Sequence, residues 1–336
     1  MKSPDFEWLA FAAHTDGPGF ARFQRALTRY NGQRLEPSLP DPAWRAHVRA
    51  EARVVEAEGE FVEAMRQEIA PLVADIPQQV DSFIAWFERL RETGPGQGDP
   101  LFPWLAAEAS LDQMKWFIEQ EVAGEAGFDD LLSLTQVKMP EQAKLEMARN
   151  YWDEMGRGAS KGMHGPMLER LAHHMDVRPT PDTVIPEALA LGNLMIALAH
   201  NRRYAFHSIG ALGVIEMTAP TRAGYVDRGL RRLAIPAKKR HYFALHAVLD
   251  IRHSETWNRE VLRSVVAGDP CRARAIGEGA VLRLWHGARC FARYRERFNL
   301  SRLENEAAEL AVWPVTAACA SWVSATIATS VPSIFD

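Results

Sequence analysis

Tyr242-Phe-Ala-Leu-His246-Ala-Val-Leu-Asp250-Ile-Arg-His253 lies within a stretch, Lys238 to Ala267, that contains neither Gly nor Pro and stops at Gly268. Such a stretch reads as one long helix with a glycine at its end. At about 100° per residue, offsets of four and seven put His246, Asp250 and His253 within roughly 60° on one face. Tyr242, Leu249 and Trp257 share that face, so the polar trio sits on or beside the core-facing stripe. Two imidazoles and a carboxylate buried without partners cost several kcal/mol, roughly, and a bound cation removes that cost. Iron, manganese and zinc all accept such ligands. A buried His–Asp hydrogen-bond pair is the other reading of the same spacing.

Working outward, three further segments offer inward metal-binding groups. Asn150-Tyr-Trp-Asp153-Glu154-Met-Gly156-Arg-Gly158 is followed, ten residues after Glu154, by His164. On an unbroken helix that offset leaves the two side chains roughly 80° apart, so Gly156, Gly158 and Gly162 are expected to break the helix between them. Glu216 ends a small and apolar run, His207-Ser-Ile-Gly-Ala-Leu-Gly-Val-Ile-Glu216, where a carboxylate is expensive unless paired. Gly210 and Gly213 in that run allow either close helix packing or ligand approach. In Leu111 to Leu132, Met114, Ile118, Glu121, Val122, Glu125, Phe128 and Leu132 recur at helical spacing, which turns Glu121 and Glu125 inward.

The surrounding chain is helical throughout. Alternating β-branched runs are missing, while Ala/Leu/Glu/Arg-rich segments recur and Gly/Pro clusters punctuate them at 31–42, 93–103, 178–186 and Pro236. The class is all-α, with helices expected near 42–67, 76–92, 109–135, 140–155, 163–176, 185–218, 222–234, 237–267, 271–298 and 301–328. The cluster Thr93 to Pro103 suggests a division into an N-terminal helical extension, 1–103, and a main bundle, 104–336.

The 336 residues, 47% of them hydrophobic, suffice for a sizeable core. A net charge of −4 with both signs interspersed offers no basic field, so neither nucleic acid nor a membrane surface is an expected partner. Cys271, Cys290 and Cys319 form neither a CxxC pair nor an even set. That fits a reducing cytoplasm, and no export segment is expected at the N-terminus. Apolar surface on the extension is a possible basis for a homodimer.

Inward carboxylates and imidazoles from several helices are how helical bundles build carboxylate-bridged dimetal sites. The ferritin-like pair of Glu-x-x-His motifs is missing; Asp250-x-x-His253 is the nearest counterpart and occurs once. The order of residues instead resembles the haem-oxygenase-like diiron oxidases and oxygenases, often labelled iron-containing redox enzymes. Members carry a Glu with a His a few turns later, then a lone Glu, then His-x-x-x-Asp-x-x-His. The matching residues are Glu154 with His164, Glu216, and His246, Asp250 and His253; Glu121 looks like the carboxylate that some members add from the first core helix, with Glu125 its rival. The resemblance spans about residues 104–300. It implies a haem-oxygenase-like bundle around two Fe ions, Fe2+ before O2 binds, with O2 as co-substrate and Glu154 and Asp250 central to catalysis. It also implies a small organic substrate of amino-acid, fatty-acid or amine type and an external electron donor, but does not assign ligands to individual irons. Two alternatives remain: a metal-free enzyme on the same scaffold, and a non-catalytic helical module whose acids and histidines form a buried network.

Overall fold

A computed structural model describes residues 6–125 and 127–300, with the side chain of Glu125 outside that set. The expected helix 301–328 and Cys319 fall outside the described residues. Those that are described form helices and connecting turns, and their only β pairing is an isolated bridge between Met155 and Met163. In chain order the helices are α1 (Gly17–Leu35), α2 (Trp44–Glu68), α3 (Val80–Thr93), α4 (Leu101–Ala107), α5 (Leu111–Glu125), α6 (Phe128–Thr135) and α7 (Glu141–Glu154). There follow α8 (His164–His174), α9 (Pro186–His200), α10 (Ala205–Arg232), α11 (His241–Thr256), α12 (Arg263–Gly268) and α13 (Arg272–Arg297). A π-helical turn, Trp257–Leu262, joins α11 to α12 without interrupting the rod.

The central element is α10, buried at almost every position from Ala205 to Thr218 and packed by α4, α9, α11 and α13. A helix apolar all round belongs in such a position. Its glycines set the approach of its neighbours. A Cβ at Gly210 would stand 1.8 Å from the carbonyl oxygen of Ile276, and one at Gly279 1.9 Å from that of His207, so α10 and α13 cross backbone to backbone. Gly213 lies against the indole of Trp257, whose Nε1 would be 2.4 Å from an added Cβ. Both glycines therefore serve helix packing rather than ligand approach.

Several sequence expectations change in detail. The segment expected as one helix, 109–135, divides around Gly127, which has φ 96. The expected boundary near 218–222 vanishes, because α10 continues through Pro220. Proline there removes the N–H that would bond the carbonyl of Glu216, yet packing on both sides holds the helix together. The expected helix 185–218 is instead cut at Asn201, before a 3-10 turn, Arg202–Tyr204. The N-terminal residues supply α1 as well as α2 and α3. Phe20, Phe23, Leu27, Phe61 and Phe83 from these helices share one apolar cluster with Leu198, Leu212, Trp257 and Val281. At roughly 1.5–3 kcal/mol per buried large apolar side chain, that shared cluster ties 17–93 to the bundle. No described helix is long and apolar enough to cross a membrane.

Candidate metal centre

Glu154 closes α7, and His164 opens α8. The turn between them contains Gly156, Arg157 and Gly158, all with positive φ, and the Met155–Met163 bridge closes its base. Gly156 and Gly162 touch back to back, since a Cβ on Gly156 would lie 2.3 Å from the Gly162 carbonyl carbon. The glycine-broken connection expected from the sequence thus folds residues ten apart onto one another. His164 Nδ1 comes to 2.8 Å from Glu154 Oε2, with both side chains 4% exposed.

On α11, His246, Asp250 and His253 face inward as their spacing predicts, and Asp250 and His253 are buried. His246 Nδ1 lies 2.7 Å from the carbonyl oxygen of Tyr242. A carbonyl can only accept, so Nδ1 carries the proton and Nε2 keeps its lone pair. Glu216, from the middle of α10, accepts a 2.6 Å hydrogen bond from Asn150 Nδ2 on Oε1. Its other oxygen, Oε2, lies 3.4 Å from His253 Nδ1. Asp250 Oδ1 is 3.9 Å from the same nitrogen. On its far side, His253 Nε2 donates to Asp153 Oδ2 at 3.1 Å.

These side chains form two ligand groups. Glu154, His164 and His246 bring one ligand atom each within 4.8 Å of one another; so do Glu154, Glu216 and His253. Glu154 belongs to both. Asp250 borders the second group and lines the same cavity as Glu216 and His246. Glu121 also lines that cavity but joins neither group; its Oε1 accepts from Tyr294 Oη at 3.5 Å. The side chain of Glu125 lies outside the described set.

A cation fits the observed geometry. His164 Nδ1 and His253 Nδ1 are buried and make no hydrogen bond, although carboxylate oxygens lie 2.8 and 3.4 Å away. The contacts are close but misaligned, as expected when lone pairs converge on a common point. Two ligands each about 2.1 Å from one metal and at right angles are about 3 Å apart. Electrostatics agree. Burial disfavours the His253 imidazolium, yet Glu216 and then Asp153 outweigh it and raise its pKa to about 9. In the metal-free protein these acids hold a proton on the ring, and a bound cation would take that proton's place on Nδ1. At His246 burial prevails over the opposing pull of Glu154 and lowers the pKa, which favours the neutral, ligating form.

The sequence of the region carrying this geometry matches a known family. The model of iron-containing redox enzymes matches residues 115–288, just over half of the chain. The chain belongs to the iron-containing redox enzyme family. All seven residues singled out from the sequence fall within the matched region. No curated protein matches the chain. As a member of a family of redox enzymes that contain iron, it is an all-helical oxidoreductase, and its Glu and His side chains are suited to holding that iron.

A cavity open to solvent lies beside the two groups. Phe102, Phe128, Leu168, Ile215, Val226 and Phe243 give it apolar walls, and Arg222, Tyr242, Glu121 and Asp129 add polar points. Of the basic and aromatic residues Arg202, Arg203, Tyr204, His207, Tyr242 and Arg252, Tyr242 lines this cavity. Arg202 instead caps carbonyls at 134, 135 and 137, Tyr204 donates to Glu63, and His207 pairs with Glu278. Arg203 stacks on Tyr204, and Arg252 faces outward. Sequence reasoning missed Arg222, Asn150 and the contact of Asp153 with His253. The polar spacing of Asn150 and Asp153 ahead of Glu154 was the available signal, but their partners lie 66 and 100 residues away.

Proposed function

We propose that this chain is a non-haem diiron oxidase or oxygenase that uses O2 to oxidise a small organic substrate of amino-acid, fatty-acid or amine type. The observation that carries the reading is the pair of ligand groups sharing Glu154. One carboxylate common to two sets of nitrogen and oxygen donors is the arrangement by which helical bundles hold two metals side by side. Bound iron supplies the one-electron and O2 chemistry that protein side chains lack.

The protein's own groups hold and orient. Glu154 would be shared by the two sides, His164 and His246 would serve one, and Glu216 and His253 would serve the other. Asp250 adds a further buried carboxylate, and the cluster of acids favours divalent cations over neutral ligands. Tyr242 and Asn150 fix His246 and Glu216 through hydrogen bonds, which keeps the donors aimed at one place. The apolar walls exclude bulk water from the reacting end of the substrate, while Arg222 offers a charged contact along α10. An external electron donor completes the reaction, and the cytoplasm is the compartment we assign from the cysteine pattern.

Anaerobic loading with Fe(II), followed by exposure to O2, tests this. The expected result is close to two irons per chain and an O2-dependent change in absorbance, both abolished by Asp250→Ala. A chain that binds no iron, or an Asp250→Ala variant that still turns over, overturns the reading.

A further inference from the structure

Asp153 stands between the buried ligands and the surface. Its Oδ2 accepts from His253 Nε2 at 3.1 Å, and its Oδ1 accepts from Arg157 Nε at 2.6 Å. The Asp153 side chain is 20% exposed, whereas that of Arg157 is 62% exposed. Arg157 reaches back over the end of α7 because its own backbone is left-handed, with φ 53, inside the turn that joins Glu154 to His164. An ordered chain of contacts therefore runs from solvent through Arg157 and Asp153 to His253.

The contact has a definite chemical consequence. An ionised carboxylate accepts only, so the proton of neutral His253 is fixed on Nε2 and the lone pair on Nδ1. Nδ1 is the buried nitrogen that faces Glu216 and Asp250. Loss of Asp153 would let the ring take the other tautomer or rotate, and either change withdraws the lone pair. His246 needs no such partner, because the carbonyl of Tyr242 on its own helix fixes it.

We infer that Asp153, held by Arg157, is a positioning residue for one metal only: the one bound by the Glu154, Glu216 and His253 group. The inference rests on the diiron reading above and goes beyond it by separating the two positions. A carboxylate behind a ligating histidine orients the ring and raises its basicity, and its removal typically weakens the metal about 10- to 100-fold. Among the described residues, no hydrogen bond or ion pair joins His164 or His246 to Asp153 or Arg157, so the other position should keep its affinity.

The test is Fe(II) binding by chelator competition together with Mössbauer spectra of the anaerobic protein, for wild type, Asp153→Ala, Asp153→Asn, Glu216→Ala and His164→Ala. Asp153→Ala should weaken one iron about 10- to 100-fold and spare the other. The signal it loses should be the one lost in Glu216→Ala and kept in His164→Ala. Asp153→Asn, which retains an acceptor but not the charge, should fall between wild type and Asp153→Ala. A merely structural role would weaken both irons together, and that result overturns the inference, as does unchanged affinity. Wild type that binds fewer than two irons overturns the diiron reading and this inference with it. Should Asp153→Ala fail to fold, Arg157→Gln at the surface must weaken the same iron by a smaller factor, and no change there counts against the proposal.

Discussion

The two ligand groups that meet at Glu154 are held in place by different kinds of contact. On the His164 and His246 side, the fixing contacts are local: a glycine turn of nine residues, 155–163, and a carbonyl four residues away on the same helix. On the Glu216 and His253 side they are long-range and charged or polar, from Asn150 to Glu216 and from Asp153 to His253. The first side also needs α11 packed against α7 and α8, but the contacts that orient its ligands lie within single segments. The second exists only when α7, α10 and α11 are packed together, and it reaches the surface through Arg157. Local contacts therefore orient the side chains of one half of the centre, and long-range contacts orient those of the other.

Removing what the halves share should give the largest effect. Glu154→Ala takes a ligand from both groups and leaves His164 without its acidic neighbour; iron content should fall to near zero and O2-dependent turnover with it, as measured by elemental analysis and oxygen uptake. If one iron remained, the two halves would not share this residue.

Next come the packing glycines, which should separate the halves. Gly210→Ala pushes a methyl into the Ile276 carbonyl, and Gly213→Ala pushes one into Trp257. Neither obstacle can move cheaply, because one is backbone and the other a fully buried indole. Each substitution should cost about 1–3 kcal/mol of stability, read from chemical denaturation, with Gly210→Ala the costlier. Since α10 carries Glu216, the second iron should weaken before the first. Equal weakening would mean that the first half depends on the packing of α10 as well.

A smaller and more local change is Asn150→Ala. It frees Glu216 Oε1 from a hydrogen bond to a charged acceptor, an interaction of about 1.5–3 kcal/mol, so affinity for the iron on that side should fall about tenfold or more. The His164 and His246 side should not respond.

The smallest effect is expected far from either half and serves as a control. Glu278 on α13 is ringed by Arg66, Arg274 and His207. Burial alone would raise its carboxyl, but His207 and Arg66 outweigh burial and lower its pKa to about 2. A folded value below the ordinary 4.5 means that this carboxylate stabilises fully above pH 4.5, and that the contribution fades as the pH falls from there toward 2. Thermal melts of wild type and Glu278→Gln should therefore differ at neutral pH and converge below that window, with iron content unaffected. Loss of iron in Glu278→Gln would show that the network supports the centre.

The same division explains what could be read from the sequence. That His246, Asp250 and His253 share the inward face of α11 was legible because helical periodicity fixes which residues lie together. Glu154 and His164 were legible because three glycines within ten residues signal a turn. Glu216 was visible only as an acid in an apolar run, with nothing local to name its partner. The roles of Asn150 and Asp153 were hidden, because a hydrogen bond across 66 or 100 residues leaves no periodic trace. Pro220 and Gly127 misled in opposite directions. Packing carries α10 through a residue that usually ends helices, while a left-handed glycine divides a segment whose apolar spacing runs on unbroken. The share of α1–α3 in the common core was likewise invisible, since a linker rich in Gly and Pro says nothing about how the segments it joins dock.

Anomalous diffraction at the iron edge, from crystals loaded anaerobically with Fe(II), tests the central claim most directly. The account predicts two peaks, one among Glu154, His164 and His246 and one among Glu154, Glu216 and His253, with Glu154 in contact with both. A single peak, or iron bound away from these side chains, would contradict it.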